Sequence, residues 1–226
     1  MIKAKWITCP GYDQEMQCFF YARKEWDFEK TDAPVFIRIS ADSRYRLYLN
    51  GSFVHSGPVR GSATLNFYDE IEISSYLKNG RNEAFFEVYS LLAENYVFNS
   101  LVPALIAEIP GMWSSDETFQ VQLAKAWQLD VPWFTKQSGK MEFRDLRIKP
   151  GNVWCNAVEV VDERFLAKEL RLNKLPEMNR KVYFPVDIAE CYEVVNHLPD
   201  DAHEIPPFLE DEEHFAIPPA RIWPIA

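Results

Sequence analysis

One short stretch of the chain carries a carboxylate and two guanidinium groups at close spacing, namely Asp42, Arg44 and Arg46. Carboxylates accept hydrogen bonds and guanidinium groups donate them, and sites that bind sugar hydroxyls combine both kinds of group. The three residues are therefore a candidate set of polar contacts to a carbohydrate. The alternative is structural, with both arginines on one strand face and Asp42 capping the preceding bend. The Asn-Gly and Gly-Pro pairs that follow are turn chemistry, which favours the structural interpretation.

Tryptophan rings are the second kind of group that could contact a sugar, because the apolar face of a sugar stacks on a flat ring. Six of the tryptophans are candidate stacking platforms: Trp6, Trp113, Trp127, Trp133, Trp154 and Trp223. Most are expected in the core, since a buried indole removes a large apolar area from water. Trp113 and Trp133 follow turn residues, so we expect them to be exposed and to be the candidate sugar contacts.

The remaining reactive residue types form no catalytic or metal-binding pattern. The histidines do not have the sequence spacing typical of metal ligands; they are His55, His197, His203 and His214. The cysteines are far apart and lack a C-x-x-C pair, and they are Cys9, Cys18, Cys155 and Cys191. A phosphate-binding glycine loop and a Gly-x-Ser-x-Gly motif are also missing. We therefore expect free thiols, no metal and no cofactor; two disulfides would be expected only if a signal peptide had been removed.

Composition narrows the class of protein. The 226 residues are 47% hydrophobic and 15% aromatic, which is typical of a folded, β-rich chain of one or two domains. The net charge of -10 argues against a nucleic-acid partner, which needs a basic face. No apolar run approaches the roughly 20 residues of a membrane span, and the first residues lack a signal-peptide pattern. We therefore expect no membrane contact and a cytoplasmic location.

Alternating apolar and polar residues predict a β-hairpin in the first quarter of the chain. Residues 35–40 and 44–49 have the two-residue period of strands with one buried face. Asn50-Gly51 then supplies the pair that tolerates positive φ in a type I′ turn, and residues 53–55 return as the partner strand.

The rest of the chain contains further strand patterns and few helical ones. Strands are predicted for residues 18–28, 84–88, 96–98, 105–107 and 117–123. Residues 165–172 fit either a short helix or a strand.

The hairpin region resembles a known family signature. Residues 42–51, followed by Gly57-Pro58-Val59-Arg60-Gly61, resemble the N-terminal β-sandwich of bacterial α-L-rhamnosidases. Residues 73–82 and the strand at 84–88 resemble galactose-binding-like jelly rolls, which β-galactosidases and β-glucuronidases also contain. The Gly-Pro-x-Arg-Gly tail favours the rhamnosidases. The signature residues are Asp42, Arg44, Tyr45, Asn50, Gly51, Gly57, Pro58, Arg60 and Gly61. Among them, Arg60 is the best candidate for a buried ion pair.

The resemblance implies an all-β chain with a galactose-binding-like jelly-roll sandwich at residues 1–161. Residues 162–226 are expected to be a Pro-rich, acidic connector or the start of a second β domain. Eight of the 15 prolines lie in residues 176–226, and residues 200–213 contain seven acids without Lys or Arg.

The resemblance also implies a function. The family's catalytic acids belong to a later helical (α/α) barrel, which this chain lacks. Glu142 and Asp145 lie in a segment that resembles the family, but we expect them to be solvated or ion-paired rather than catalytic. The chain is therefore interpreted as a non-catalytic part of an α-L-rhamnosidase-like hydrolase, with a downstream β-sandwich and the barrel as partners. The alternative is an autonomous module that binds rhamnose-containing carbohydrate, and an independent enzyme is a third hypothesis.

Overall fold

The computed structural model describes residues 2, 4–94, 99–135, 137, 139–176, 192–194 and 222–224, and strands dominate these parts of the chain. The strands are β1 (Ile7–Thr8), β2 (Cys18–Phe28), β3 (Phe36–Asp42), β4 (Arg44–Leu49), β5 (Ser52–Gly57), β6 (Leu65–Glu72), β7 (Gly80–Ser90), β8 (Ala104–Ile109), β9 (Trp113–Ser114), β10 (Gln120–Leu123), β11 (Trp133–Thr135), β12 (Gly139–Lys140), β13 (Cys155–Asn156), β14 (Val158–Glu159), β15 (Glu169–Leu172), β16 (Tyr192–Val194) and β17 (Ile222–Pro224). Helical structure is limited to α1 (Glu163–Leu166) and a 3₁₀ turn (Ser74–Tyr76) in the described part.

The chain divides into two compact units, residues 1–174 and residues 175–226. In the first unit, one sheet has the order β14-β1-β8-β3-β6-β15, with β9 also paired to β8. The other sheet has the order β13-β10-β2-β7-β4-β5, and β11 pairs with β12 in a small separate ribbon. In the second unit, β16 and β17 form an antiparallel pair.

A single buried cluster joins the two large sheets, so the first unit is a β-sandwich. Ile39 on β3 and Leu105 on β8 come from one sheet, and Phe20, Leu47 and Phe86 come from the other. All five side chains are fully buried. Strand alternation places every second residue of these strands in this cluster, which is the reason that the two-residue period was readable in the sequence. The predicted all-β class is confirmed, and the architecture is a two-sheet sandwich.

The predicted hairpin is also confirmed. Asn50 and Gly51 join β4 to β5 with φ values of 50° and 81°. Positive φ at both central positions is the type I′ geometry that Asn-Gly accommodates.

The other strand predictions have mixed outcomes. The strands predicted at 18–28, 84–88, 105–107 and 117–123 correspond to β2, β7, β8 and β10. Residues 96–98 lie outside the described residues, as does the acidic stretch 200–213. Residues 165–172 contain both alternatives, because α1 ends at Leu166 and β15 then pairs parallel to β6. The domain division at residue 161 stays a prediction, while the first compact unit extends to residue 174.

The described residues between 124 and 154 lie across the outer face of the β5-containing sheet. The amide of Ala124 donates to the carbonyl of Phe19 on β2 at 2.8 Å, so the segment begins next to β2. The ring of Trp127 then stacks on Phe19, with centroids 4.2 Å apart, and Trp154 meets Phe85 of β7 edge to face. This segment creates a second, smaller apolar cluster on the face that points away from the sandwich core.

The described residues hold neither a disulfide at Cys9, Cys18 or Cys155 nor a group of three or more potential metal ligands. Burial raises the pKa of Cys9 and of Cys18 to about 12, so both thiols stay protonated at neutral pH. No helix in the described part of the chain is long and apolar enough to span a bilayer.

Candidate functional site

A cavity of about 270 Å³ lies at the end of the sandwich where β3 turns into β4, and several residues of the family signature line it. We call it the signature cavity, and its wall comprises residues 41–44, 58–62, 66–67, 89, 91, 99–100 and 139. Five signature residues contribute to that wall: Asp42, Arg44, Pro58, Arg60 and Gly61. Five of the nine signature residues therefore meet at one place in the fold, while Asn50 and Gly51 form the turn at the other end of β4.

Asp42 is a buried carboxylate that fastens a neighbouring loop. Its Oδ2 accepts hydrogen bonds from the backbone amides of Leu101 at 3.0 Å and Val102 at 3.5 Å. Burial raises the pKa of Asp42, while the Leu101 amide and the ammonium of Lys168 act in the opposite direction. The structural interpretation of Asp42 is thus supported, although the backbone that it caps is at residues 101–102 rather than at the preceding bend.

The buried carboxyl of Asp42 gives a testable pH dependence. Its raised pKa means that the folded chain holds this proton at a higher pH than the unfolded chain. The contribution of Asp42 to stability is therefore full below its unfolded pKa of about 3.9 and is lost as pH rises through the folded value. Urea unfolding of the unaltered chain and of Asp42→Asn at pH 4 and pH 7 measures this effect. The free energy of unfolding of Asp42→Asn, relative to that of the unaltered chain, should increase between pH 4 and pH 7. A difference that is constant over this range would contradict the predicted effect.

Arg44 and Arg46 share the outer face of β4, as the sequence indicated, and both are ion-paired. The guanidinium of Arg44 contacts Glu142 at 2.6 Å and lies over the ring of Tyr89 at 4.5 Å. Arg46 contacts the buried carboxylate of Glu87 at 2.6 Å. Asp42 and Arg44 both line the signature cavity, whereas Arg46 does not. The structure thus brings together only two members of the candidate polar set.

Tyr45 and two signature glycines have structural roles: Tyr45 makes a hydrogen bond, and the glycines allow close packing. The hydroxyl of Tyr45 donates to Asp69 Oδ2 at 2.6 Å beneath the hairpin. A Cβ on Gly57 would lie 2.2 Å from that same oxygen, and a Cβ on Gly61 would lie 2.1 Å from the carbonyl oxygen of Leu65. Both distances are far below van der Waals contact, so the two positions accept only glycine without rearrangement.

The position of Arg60 differs from the one predicted from the sequence. It was expected in a buried ion pair, but its side chain is exposed at the rim of the signature cavity. The reason is that residues 58–62 form a loop outside the strands, and loops run over the protein surface.

The two tryptophans proposed as sugar contacts occupy different environments. Trp113 is only 9% exposed, because its ring packs edge to face against Trp26 and Phe119. Its expected exposure is therefore wrong, since β9 turns the ring into the sandwich core. Trp133 is half-buried on β11 and packs against the outer apolar cluster. Sugar contact by either ring stays a prediction.

Glu142 and Asp145 are ion-paired, as expected, but they lie in a loop rather than on a strand. Glu142 contacts Arg44, and Asp145 contacts Arg147 at 2.7 Å. Hydrogen bonds from Arg147 lower the pKa of Asp145 to about 2, so Asp145 is ionised at neutral pH and is poorly suited to act as a general acid.

Sequence reasoning missed a group of aromatic side chains on the outer face of the six-stranded sheet. Tyr48 on β4 and Phe85 on β7 sit directly opposite one another, and both are partly exposed. The available signal was that both residues occupy outward positions in otherwise alternating strands, where polar side chains are the usual choice.

Solved structures with a similar fold come from α-L-rhamnosidases. The chain matches a GH78 family rhamnosidase from Bacillus sp. GL1 with a TM-score of 0.69 and 24% identity over 77% of this chain. It also matches the α-L-rhamnosidases of Dictyoglumus thermophilum (TM-score 0.54, 17% identity) and Aspergillus terreus (TM-score 0.52, 13% identity), each over 74% of this chain. No family model and no curated protein sequence matches the chain.

The matched region is a minor part of each of those enzymes. The chain covers 20% of the Bacillus protein and 22% of each of the other two. At these identities the likeness concerns the fold. The chain thus has the fold of a β-domain that α-L-rhamnosidases contain.

Proposed function

We propose that the chain is a non-catalytic accessory domain of an α-L-rhamnosidase-like glycoside hydrolase. The observation that carries the proposal is that five signature residues line one end of a sandwich whose fold recurs in three rhamnosidases. At that end Asp42 anchors the backbone of Leu101, and Tyr45 bonds to Asp69. Gly57 and Gly61 allow the neighbouring segments to pack closely, which gives the rigid surface that a positioning domain requires. The partners in this proposal are a downstream β-sandwich and an (α/α) barrel that supplies the catalytic acids.

An antibody against the chain tests this proposal on the protein in its natural form. The precipitate from a lysate of the source cells is expected to hydrolyse an aryl α-L-rhamnoside, while the purified 226-residue chain is not. A precipitate that contains the chain but no rhamnosidase activity would count against the accessory role. Hydrolysis by the purified chain alone would overturn the non-catalytic assignment.

A second candidate function is binding of rhamnose-containing carbohydrate, which the signature cavity favours. Its wall combines hydrogen-bonding side chains, including Arg60, Asn66 and Asn99, with the ring of Tyr89. Calorimetric titration of the chain with L-rhamnose and rhamnosyl oligosaccharides, with and without calcium, should then give saturable heat. Arg60→Ala and Trp133→Ala separate the two places proposed for the sugar, since only Arg60 lines the cavity. Absence of heat at millimolar sugar would leave the accessory role as the function.

A further inference from the structure

Four aromatic rings form a continuous strip on the outer face of the sheet, across strands rather than along one. The ring centroid of Tyr48 is 5.6 Å from that of Phe53 and 6.1 Å from that of Phe85, and Phe85 is 6.4 Å from Trp154. Tyr48 pairs directly with Phe53 on β5 and with Phe85 on β7, so strand register fixes their order. We call these four residues the aromatic strip.

The aromatic strip is open to solvent at one end and partly covered at the other. Phe53 is 45% exposed, and Tyr48, Phe85 and Trp154 are half-buried. Arg23 lies 4.3 Å from the centre of the Trp154 ring and fixes its orientation at the covered end. The strip is thus a row of rings held in place, and it is not closed off as a core would be.

A groove of about 310 Å³ runs beside the aromatic strip and carries one carboxylate that can accept hydrogen bonds from a ligand. Tyr48, Phe85 and Glu83 line it, and the side-chain carboxylate of Glu83 makes no hydrogen bond or ion pair within the described residues. Tyr21 also lines the groove, but it is 2% exposed and its hydroxyl is buried, so it offers a ligand no polar contact.

We propose that the aromatic strip and its groove bind a neutral saccharide chain. A sugar ring presents apolar C–H faces and a polar rim, and this surface offers aromatic faces beside the carboxylate acceptor of Glu83. The ligand is neutral because Glu83 and the net charge of -10 repel an acidic polysaccharide. The guanidinium groups nearest the groove are already engaged, since Arg46 and Arg144 both contact Glu87.

A saccharide suits this surface better than an apolar protein face. An apolar partner would bury the carboxylate of Glu83 without a compensating hydrogen bond, which is energetically costly. Sugar hydroxyls supply that hydrogen bond while the ring covers the aromatic face. The groove shares no lining residue with the signature cavity, so this site goes beyond the proposed function and does not depend on it.

Affinity electrophoresis of the full chain tests the site, with native gels containing mixed-linkage β-glucan, arabinoxylan, galactomannan or a neutral rhamnan. At least one neutral polymer is expected to retard the chain, and polygalacturonate is not. Phe53→Ala and Glu83→Gln should each weaken the apparent affinity about tenfold. Phe134→Ala is the matched control, because Phe134 is a 66% exposed aromatic residue outside the strip and the groove.

Three results would overturn the proposal. They are migration unaffected by all four neutral polymers, equal retardation of Phe53→Ala and the unaltered chain, and retardation by polygalacturonate. Sedimentation of the same proteins identifies the alternative, since a dimer lost in Phe53→Ala without polysaccharide binding would make the strip a protein contact. Circular dichroism verifies that each variant is folded. The antibody experiment reports on the rhamnosidase assignment regardless of the outcome, so the two proposals fail separately.

Discussion

Asn82→Ala is expected to lower the free energy of unfolding by about 3–4 kcal/mol, because it removes several buried hydrogen bonds at once. Asn82 is 1% exposed, and its Nδ2 donates to the carbonyls of Lys78 at 2.7 Å and Gly80 at 2.8 Å. Its Oδ1 accepts from the Lys78 amide at 3.0 Å and from Asn50 Nδ2 at 2.8 Å. The alanine variant therefore leaves polar groups of two turns unsatisfied, and it loosens the β4–β5 turn from the start of β7.

Urea unfolding followed by tryptophan fluorescence measures this loss. Asn156→Ala is the control, because Asn156 is exposed and accepts a single side-chain hydrogen bond, from Gln120 at 2.7 Å. The control should lose less than about 1 kcal/mol. If both variants lose the same amount, the buried network around Asn82 does not contribute as the structure indicates.

Gly61→Ala is expected to destabilise the sandwich by about 2–3 kcal/mol through overpacking. The new Cβ would lie 2.1 Å from the carbonyl oxygen of Leu65 and 3.2 Å from the Cα of Asn66. These are backbone atoms, and the same carbonyl accepts a hydrogen bond from Ser62 at 2.7 Å, so no side-chain rotation relieves the clash. The loop must shift, and the wall of the signature cavity shifts with it.

Gly151→Ala provides a matched control for this prediction. Its Cβ would meet only the side chain of Gln122, at 3.2 Å, which can move. Thermal unfolding monitored by circular dichroism should show a lower midpoint for Gly61→Ala and a nearly unchanged one for Gly151→Ala. Equal midpoints for Gly61→Ala and the unaltered chain would show that the loop at 58–62 adapts freely.

Local sequence patterns predicted the elements whose structure is determined locally. Asn50-Gly51 specified a turn type by its backbone conformation, and the alternation of residues 35–40 specified β3 by its buried face. Residues 165–172 could not be assigned because one short apolar run serves two elements, α1 and β15. The pairing of β15 with β6 depends on residues a hundred positions away, and no local period encodes that.

The candidate sites were predicted less completely than the strands. The signature residues did mark a cavity, but the exposure of Trp113 and the burial of Arg60 were both wrong. The aromatic strip was missed because its rings come from three strands and a distant segment that meet only in the folded chain. Residues adjacent across strands are separated in sequence by up to about seventy positions, so spacing along the chain carries no sign of the strip.

The strand order of the first sheet has a consequence for synthesis on the ribosome. β1 pairs with β14, and β6 pairs with β15. β1 and β6 are therefore synthesised well before these partner strands, which lie near the end of the first compact unit. At about 5–20 residues per second, the growing chain spends roughly 5–30 s with those strand edges unpaired. During that interval the open edges of β1 and β6 can pair with other nascent chains. Production of this protein is therefore expected to depend on translation rate and on chaperones that cover unpaired strands.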